Sequence, residues 1–191
     1  MNHVTFDSHA GSQSAAPGSA TNSLADGDLR YAIGETQLGM ILVALSAKGV
    51  RAILIGGDRA KLLADLKKQF PDVRLVDGLG ECRATLDKIS EFIRAPKGGL
   101  SLALDARGTA FQERVWEALR AIPVGQTVSY SELARQIGEP GAARAVAHAC
   151  ATNAIALAIP CHRVVKSDGT ISGYRWGVER KRTILKLEAD A

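Results

Sequence analysis

The stretch "SYSELARQIGEPGAARAVAHACATN", residues 129–153, decides the architecture of the second half of this chain. Ser129 and Glu132 have the spacing of a capping box, in which two side chains satisfy free backbone N–H groups at a helix start. Gly138 is a suitable residue to end that helix. A second helix follows after a short turn. Two short helices joined by a Gly-containing turn predict a helix-turn-helix, although an ordinary helical hairpin fits the same pattern.

The second helix of the pair is surfaced mainly by alanine. Specific readers of the DNA major groove present several long polar side chains to base edges, and here Arg144 is almost alone. If the helix binds DNA, it approaches the backbone closely in the minor groove, with Arg144 as the inserted group. Alternatively, the alanines form an internal packing seam and Arg144 is a solvated charge. His148 and Cys150 have no metal-like spacing around them and fit packing or surface positions.

A third helix is predicted just before this pair. Thr109 and Gln112 have the capping-box spacing, and Pro123 with Gly125 ends the helix. Residues 106–191 are therefore predicted to form a mostly helical C-terminal domain. The apolar stripe of the third helix consists of Phe111, Val115, Leu119 and Ile122.

The pattern between residues 28 and 105 predicts a small α+β domain. Three β-like runs separated by turn residues predict a three-stranded meander. Asp58 caps a helix that Pro71 stops, residues 81–94 form a second helix, and residues 100–105 predict a returning strand. The three runs of the meander are residues 29–34, 39–46 and 50–56.

Residues 1–27 are rich in Ser, Ala and Gly without a sustained hydrophobic period, which predicts a flexible tail. The first basic residue is Arg30, so the N-terminus lacks the basic start of a secretory signal. Of the 191 residues 46% are hydrophobic, but no apolar run is long enough to span a bilayer. We therefore expect a cytoplasmic protein without a membrane partner, and we expect it to act as a monomer.

Charge is distributed unevenly along the chain. The net charge is +4, and between Ser129 and Lys186 nine basic residues stand against four acidic ones. This local excess suits a polyanionic partner, although many solvated protein faces are equally basic.

The cysteines do not form a structural framework. Cys82, Cys150 and Cys161 are an odd set without CxxC spacing, which argues against both disulfides and a zinc ribbon. Reduced thiols are therefore expected, and the role of each thiol depends on its surroundings.

Cys161 stands in "AIALAIPCHRVV", residues 154–165, and is either a buried packing residue or a nucleophile. A nucleophilic cysteine needs a base or positive surroundings to supply the thiolate, and His162 and Arg163 follow directly. In an extended segment neighbouring side chains point to opposite sides, so His162 would need a bridging water or a bent backbone. Pro160 suits an exposed bend and favours an accessible thiol.

A loop bracketed by glycines, residues 173–177, follows this segment. Its Tyr174 and Trp176 either flank a flat ligand or are ordinary core aromatics. Residue patterns alone thus leave a candidate nucleophile beside a candidate DNA-binding helix pair.

The segment "IPCHRVV", preceded by "RAVAHACATN" and followed by "SGYRWG", resembles the active-site region of the O6-alkylguanine-DNA alkyltransferases, most closely the bacterial adaptive-response branch. The resemblance implies that Cys161 takes an alkyl group from guanine O6 and is consumed in a single turnover. It implies that His162 deprotonates the thiol through a water and that Glu188 orients His162. Asn153 matches the asparagine that joins the helix pair to the active-site segment.

The resemblance also implies how DNA and base are held. Tyr130 matches a tyrosine that donates a proton or hydrogen bond to guanine N3, and Arg144 matches a finger that replaces the flipped nucleotide. Tyr174 lies in the loop that encloses the base, and the backbones of Val164 and Arg175 contact its polar edge. Arg175 departs from relatives with a small residue, so only its backbone role is carried over. The implied DNA-binding positions are Ser129, Ala143, Arg144 and Tyr174.

The family fold implies a ribonuclease H-like N-terminal domain and a C-terminal domain with the helix-turn-helix. The implied partner is double-stranded DNA containing O6-alkylguanine, with O4-alkylthymine as a further substrate, and no cofactor is expected. Some relatives carry an N-terminal zinc, but His3, His9 and Cys82 make no convincing ligand set, so no metal is predicted. This chain shows no zinc-cysteine regulatory domain, and we expect no role in gene regulation.

Two other hypotheses compete with alkyl transfer. A non-catalytic lesion-binding protein would flip the base without transfer, but such relatives replace the acceptor cysteine, and Cys161 argues against that. A cysteine hydrolase using Cys161 and His162 would turn over repeatedly and would leave Arg144 and the alanine-rich helix without a purpose.

Overall fold

The computed structural model describes residues 27–191, so the tail predicted for residues 1–27 lies outside the described residues except for Gly27. The first half of the described chain forms a four-stranded sheet covered by two helices. In chain order its elements are β1 (Leu29–Thr36), β2 (Gly39–Ser46), β3 (Gly49–Gly56), α1 (Arg59–Gln69), β4 (Leu75–Asp77) and α2 (Leu79–Arg94).

The sheet confirms the predicted meander, because β2 pairs antiparallel with both β1 and β3. The sequence pattern does not indicate β4, a three-residue strand that adds parallel to β1 and completes the order β3-β2-β1-β4. Gly49 opens β3 with a φ of 141°, and a Cβ there would lie 2.5 Å from the Ala103 carbonyl oxygen. The turn before β3 therefore requires glycine.

The two helices follow the predicted caps and apolar faces. Asp58 accepts a hydrogen bond from the Lys61 N–H at 2.7 Å, and α1 ends before Pro71 as predicted. The helix α2 begins earlier than predicted, at Leu79, and packs against β1. Its buried side chains are Cys82, Leu86, Ile89, Phe92 and Ile93.

The prediction of a returning strand over residues 100–105 is wrong. Only a single bridge forms there, between Leu104 and Val50 of β3. The Val50 N–H donates to Ala103 at 2.8 Å, and the Val50 carbonyl accepts from the Asp105 N–H at 2.9 Å. The pairing stops because the next part of the β3 edge binds another segment.

That segment is residues 154–156, which connects the sheet to the second half of the chain. The Ile53 N–H donates to the Ala154 carbonyl at 3.0 Å, and the Ile53 carbonyl accepts from the Ala156 N–H at 3.0 Å. One continuous apolar core runs from the sheet through this contact into the helices. The segment before Cys161 is thus fixed to an edge of the N-terminal sheet.

The second half is mostly helical and has one small parallel ladder. Its elements are α3 (Ala110–Arg120), β5 (Val128–Ser129), α4 (Tyr130–Gln136), α5 (Ala143–Ala151), β6 (Val164–Val165) and α6 (Val178–Ala189), with β5 paired to β6. The ladder sets the start of α4 beside the chain that follows Cys161.

The predicted capping box of α3 is confirmed. Thr109 Oγ accepts from the Gln112 N–H at 3.2 Å, and Gln112 Oε1 accepts from the Thr109 N–H at 2.9 Å. At α4 only half of the predicted box forms. Ser129 Oγ accepts from the Glu132 N–H at 3.0 Å, while the Glu132 carboxylate pairs with Arg135 at 2.6 Å. The nearby guanidinium is a stronger partner for that carboxylate than a backbone N–H.

The helices α4 and α5 pack against each other, and α3 packs against both. Gly138 ends the first of the pair with a φ of 78°, as its position predicts. Residues 137–142 connect the two helices, a longer turn than the sequence suggests.

Within residues 27–191 no helix combines the length and apolarity needed to cross a bilayer. The same part of the chain holds no group of three or more His, Cys, Asp or Glu side chains placed to bind a metal. His3 and His9 lie outside the described residues. Cys82 is buried in α2, and burial raises the pKa of its thiol to about 12.

Candidate active site

Cys161 begins a single turn of 3-10 helix, Cys161–Arg163, at the end of a fully buried run. The run is held in a strained path, because Leu157 adopts a left-handed conformation with a φ of 67°. Such a conformation costs on the order of 1–3 kcal/mol in a residue with a side chain and persists only where its surroundings impose it. The bend turns the Cys161 side chain out of the extended geometry that the sequence suggests.

Asn153 holds the thiol of Cys161 in place. It is fully buried, and its Nδ2 donates to Cys161 Sγ at 3.3 Å and to the Ile159 carbonyl at 2.8 Å. Its Oδ1 accepts from the Ile155 N–H at 2.8 Å. One amide thus ties the end of α5 to both sides of the bend before the cysteine.

His162 points away from Cys161 and towards Glu188 of α6. Its Nε2 lies 2.9 Å from Glu188 Oε1, and both side chains are fully buried. An ionised carboxylate only accepts, so we assign the ring proton to Nε2 and leave Nδ1 as the basic nitrogen. Among the described residues Nδ1 has no hydrogen-bond partner. Burial lowers the pKa of His162, against the opposing effect of Glu188.

Glu188 is kept ionised by more than the histidine. Arg163 donates to both of its oxygens at 2.9 Å, and the Gly125 N–H donates to Oε2 at 3.3 Å. Burial alone would raise the pKa of Glu188, but the hydrogen bonds from His162 and Arg163 outweigh it and lower the pKa to about 2. The sequence indicates Arg163 only as part of the positive surroundings of Cys161, and the structure pairs it with Glu188.

The thiol itself is neutral at rest. Cys161 is 4% exposed, and burial raises its pKa to about 11 against the opposing effects of the Asn153 amide and the Lys181 charge. No hydrogen bond joins its sulfur to His162 within the described chain. The site therefore needs a base to act on the thiol before it is strongly nucleophilic.

A cleft of about 480 Å³ opens above the cysteine. Tyr130 of α4 lines one side, with its hydroxyl 2.6 Å from Ser172 Oγ, and burial raises its pKa so that the phenol stays protonated. Tyr174 lines the other side, edge-on to the rings of His162 and Trp176. Its buried hydroxyl has no partner in the described chain. The remaining lining residues include Ala147, Cys150, Ala151, Lys166, Gly173 and Arg175.

Of the four predicted DNA-binding residues, Tyr174 lines this cleft and the other three lie at the helix pair. Arg144 is exposed in the first turn of α5, where His148 shares its open face, and Ala143 is half-buried beside it. Ser129 caps α4 at the rim. The structure therefore gathers Cys161 and its predicted partners in one place and leaves Arg144 on an adjoining surface.

Two predicted base-contacting residues are engaged in other ways. Val164 is fully buried, and its carbonyl accepts from Lys181 Nζ at 2.6 Å. The Arg175 guanidinium turns away, donating to the Asn153 carbonyl at 3.2 Å and to Gln69 Oε1 at 2.7 Å.

Lys181 and Ser172 are site residues that sequence reasoning missed. Lys181 is fully buried and donates to Ser172 Oγ at 3.1 Å as well as to Val164. A signal for Lys181 existed, because it shares a helical face with Ile184 and Glu188 at spacings of three and seven residues. A lysine on the same helical face as the glutamate that is expected to orient His162 is expected to point inward. Ser172 has no comparable pattern around it.

The second half of the chain is similar to a known protein family. The family model described as the 6-O-methylguanine DNA methyltransferase, DNA binding domain, matches residues 110–190. The matched residues include the helix pair, Cys161 and Glu188.

Relatives extend the match to the sheet. The chain is 33% identical over 164 residues to the inducible methylated-DNA--protein-cysteine methyltransferase of Bacillus subtilis, covering 86% of this chain and 87% of the relative. It aligns with a crystal structure of Mycobacterium tuberculosis OGT in complex with DNA at 34% identity and a TM-score of 0.68, covering 84% and 93% of the chains. The chain therefore belongs to the O6-methylguanine-DNA methyltransferase family, and its mixed arrangement of sheet and helices is the fold of that family.

A longer relative matches only in part. The chain is 49% identical over 169 residues to the bifunctional transcriptional activator/DNA repair enzyme Ada of Escherichia coli. The aligned region covers 85% of this chain and 46% of the relative, so the chain spans about half of that protein's length.

Proposed function

We propose that this protein repairs DNA by moving an alkyl group from O6 of guanine to Cys161, once per molecule. The observation that carries the proposal is a buried thiol at the floor of an open cleft, held by Asn153 and followed directly by a His162–Glu188 pair. The name of the Bacillus subtilis relative describes the same reaction. The alkylated cysteine is a stable thioether, which explains why the protein would be consumed.

His162 serves as the base through a water molecule. Its Nδ1 is the unprotonated nitrogen, and Glu188 stabilises the imidazolium that forms when the thiol proton is taken. The thiolate attacks the alkyl carbon in line with the C–O6 bond. The Sγ–C bond forms while the C–O6 bond breaks, and its electron pair moves into the guanine ring.

Tyr130 assists the departure of the base. Its protonated phenol lies in the cleft and donates to guanine N3, where charge develops as O6 loses its alkyl group. Tyr174 closes the loop over the base, and backbone groups of Val164 and Arg175 contact its polar edge. O4-alkylthymine presents a similar leaving group and is a second proposed substrate.

We further propose that α4 and α5 act as a helix-turn-helix on double-stranded DNA. The open face of α5 combines Ala145 and Ala151 with the longer side chains of Arg144 and His148, and its two alanines permit close approach in the minor groove. Arg144 occupies the stack after the damaged nucleotide has turned into the cleft, and Ser129 and Ala143 contact the DNA beside it. OGT of Mycobacterium tuberculosis has been crystallised in complex with DNA.

The chain is proposed to consist of two domains, residues 28–105 and residues 106–191. The first of these domains, which contains the sheet, is proposed to be ribonuclease H-like. We propose a monomer that needs no cofactor and acts on chromosomal DNA in the cytoplasm.

An intact-mass measurement tests the reaction. The protein is mixed with an excess of duplex containing one O6-methylguanine, and we expect each molecule to gain the mass of one CH₂ on Cys161. The matched control is Cys150→Ala, since Cys150 lines the same cleft but burial raises its thiol pKa even further. That variant is expected to react, whereas Cys161→Ala is expected to bind DNA without reacting. Turnover beyond one equivalent would instead favour a hydrolase, and no mass gain would overturn the proposal.

A further inference from the structure

A chain of hydrogen bonds runs from a buried ammonium group to the hydroxyl of Tyr130. Lys181 Nζ donates to Ser172 Oγ at 3.1 Å, and Ser172 Oγ lies 2.6 Å from Tyr130 Oη. Lys181 is also anchored by the Val164 carbonyl, which accepts from Nζ at 2.6 Å. The three side chains come from α6, the loop before it and α4, so only the folded chain aligns them.

The direction of these bonds follows from what each group is able to donate. A lysine ammonium has three donors and no acceptor, so it occupies one lone pair of the Ser172 oxygen. The serine then has one proton left, and giving it to Tyr130 Oη leaves the phenol proton free to point into the cleft. If Tyr130 instead donated to Ser172, its proton would be directed away from the substrate. The positive charge behind the serine favours the first arrangement because it polarises the serine O–H towards the phenol.

We propose that Ser172 and Lys181 form a relay that aims the Tyr130 proton into the cleft and replaces it during alkyl transfer. This inference rests on the proposed alkyl transfer and adds two positioning residues to it. Neither residue needs to touch the reacting atoms, since both act through Tyr130.

The proton balance of the step is as follows. As the C–O6 bond breaks, guanine N3 takes the proton of Tyr130, Tyr130 takes one from Ser172, and Ser172 takes one from Lys181. The thiol proton of Cys161 passes through water to His162, and the alkyl group ends on Cys161 as a thioether. The guanine stays in the DNA strand as a neutral base whose new proton moves from N3 to the usual N1 by exchange with water. Lys181 becomes a neutral amine that later regains a proton from solvent, and His162 returns the thiol proton to solvent. No oxidant, reductant or other reactant is required.

The relay is tested by removing the Ser172 hydroxyl from the protein and by removing N3 from the guanine. Single-turnover methyl transfer is measured for Ser172→Ala and Ser172→Thr with duplexes containing O6-methylguanine or its 3-deaza analogue, in which a C–H replaces N3. General acid assistance contributes about 10²–10⁴-fold in enzymes. We therefore expect Ser172→Ala to slow transfer from O6-methylguanine by roughly tenfold or more. Transfer from the 3-deaza analogue is expected to change by less than about twofold, because that base has no N3 to protonate. Ser172→Thr keeps the hydroxyl and is expected to restore the rate.

Two further variants separate the relay from simpler explanations. Tyr130→Phe removes the final donor, and adding Ser172→Ala to it is expected to cause no further loss. Lys181→Gln also removes the charge that partly opposes the raised pKa of the Cys161 thiol, so it is expected to slow both reactions and to slow the O6-methylguanine reaction more. The comparison of Ser172→Ala with Ser172→Thr tests the relay even where loss of Lys181 unfolds the protein.

Three outcomes are distinguishable. Equal slowing of both substrates by Ser172→Ala, or an unchanged rate with O6-methylguanine, would overturn the relay. Failure of the unsubstituted protein to take up any methyl group would overturn the proposed alkyl transfer itself.

Discussion

The surroundings of Cys161 keep its thiol protonated and weakly nucleophilic until a base removes the proton. Burial raises the pKa of the thiol to about 11, and the Asn153 amide and the Lys181 charge only partly oppose this. A thiol with a lower pKa would be a thiolate at rest and would react with any alkylating agent in solution. Because burial keeps the thiol protonated at rest, the proposed alkyl transfer is restricted to a substrate that occupies the cleft while the His162–Glu188 pair takes the thiol proton.

Glu188 links the site to the stability of the fold. Its pKa is lowered from 4.5 to about 2, so its ionised form stabilises the folded state above pH 4.5. This contribution is about 3 kcal/mol at neutral pH and is lost as the pH falls from 4.5 towards 2. We predict that Glu188→Gln is less stable at pH 7 by about that amount, and that the difference narrows through this pH range.

Urea unfolding at several pH values measures the effect. Glu179→Gln is the matched control, because Glu179 also pairs with an arginine but its side chain is 84% exposed. Exposed ion pairs contribute less than about 1 kcal/mol, so the control is expected to stay close to the unsubstituted protein at every pH. A difference for Glu188→Gln that did not narrow in acid would contradict the prediction.

At the scale of elements, the short helices α4 and α5 pack on the core with one face and form the protein surface with the other. Their inner faces pack on α3 and against each other, while α4 brings Tyr130 to the cleft and α5 ends at Asn153. The outer face of α5 holds Arg144 in the open. A duplex bound on this face would therefore lie next to the cleft above Cys161.

Arg144→Ala is predicted to slow repair of O6-methylguanine in duplex DNA by about tenfold or more, because a flipped base costs a few kcal/mol without a group to fill the stack. The same variant is expected to react normally with the free O6-methylguanine base, where nothing needs to be flipped. Single-turnover rates with the two substrates provide the measurement.

The control for this prediction is Arg182→Ala, which removes the same charge from the exposed surface of α6. An equal loss in both variants on duplex DNA would indicate general electrostatic attraction. A slower rate with the free base would indicate damage to the cleft. Either result would contradict the proposal that Arg144 replaces the flipped nucleotide in the stack.

At the scale of the whole molecule, the N-terminal sheet supports the active site without contributing to its chemistry. The β3 edge binds residues 154–156, and Gln69 at the end of α1 accepts from the Arg175 guanidinium at 2.7 Å. Arg175 also holds the Asn153 carbonyl, so the loop around Tyr174 is attached to both halves. The sheet half therefore holds this loop in place through the hydrogen bond between Gln69 and Arg175.

We predict that Gln69→Ala loosens the loop of residues 172–177 and slows methyl transfer a few-fold. Hydrogen bonds to charged groups contribute about 1.5–3 kcal/mol to stability when they are shielded from water and less at an exposed site such as this one. Amide exchange over residues 172–177 is expected to increase in parallel. Lys68→Ala, on the neighbouring exposed position of α1, is the control and should alter neither property.

A double-mutant cycle completes the test. If Gln69 acts through Arg175, then Arg175→Ala combined with Gln69→Ala is expected to slow transfer no more than Arg175→Ala alone. Additive losses would show that the two side chains act separately.

The sequence by itself determined the local structure of this protein and its family, and it pointed to Cys161 as the proposed alkyl acceptor. Hydrophobic alternation predicted the meander, cap spacing at Thr109 and Ser129 predicted where helices begin, and the segment around Cys161 pointed to the family. These features depend on residues close together along the chain, so a pattern is able to report them.

The tertiary structure alone decided how distant residues meet. The strand β4 exists only because β1 offers it an edge, and residues 100–105 form little strand because residues 154–156 take the rest of β3. Likewise, Arg163 faces Glu188, and Lys181 reaches Tyr130 through Ser172. Helical spacing indicates that Lys181 faces inward, but no sequence pattern indicates which partner a charged residue meets. That partner is decided when the packed core removes water and leaves one specific group within hydrogen-bond distance.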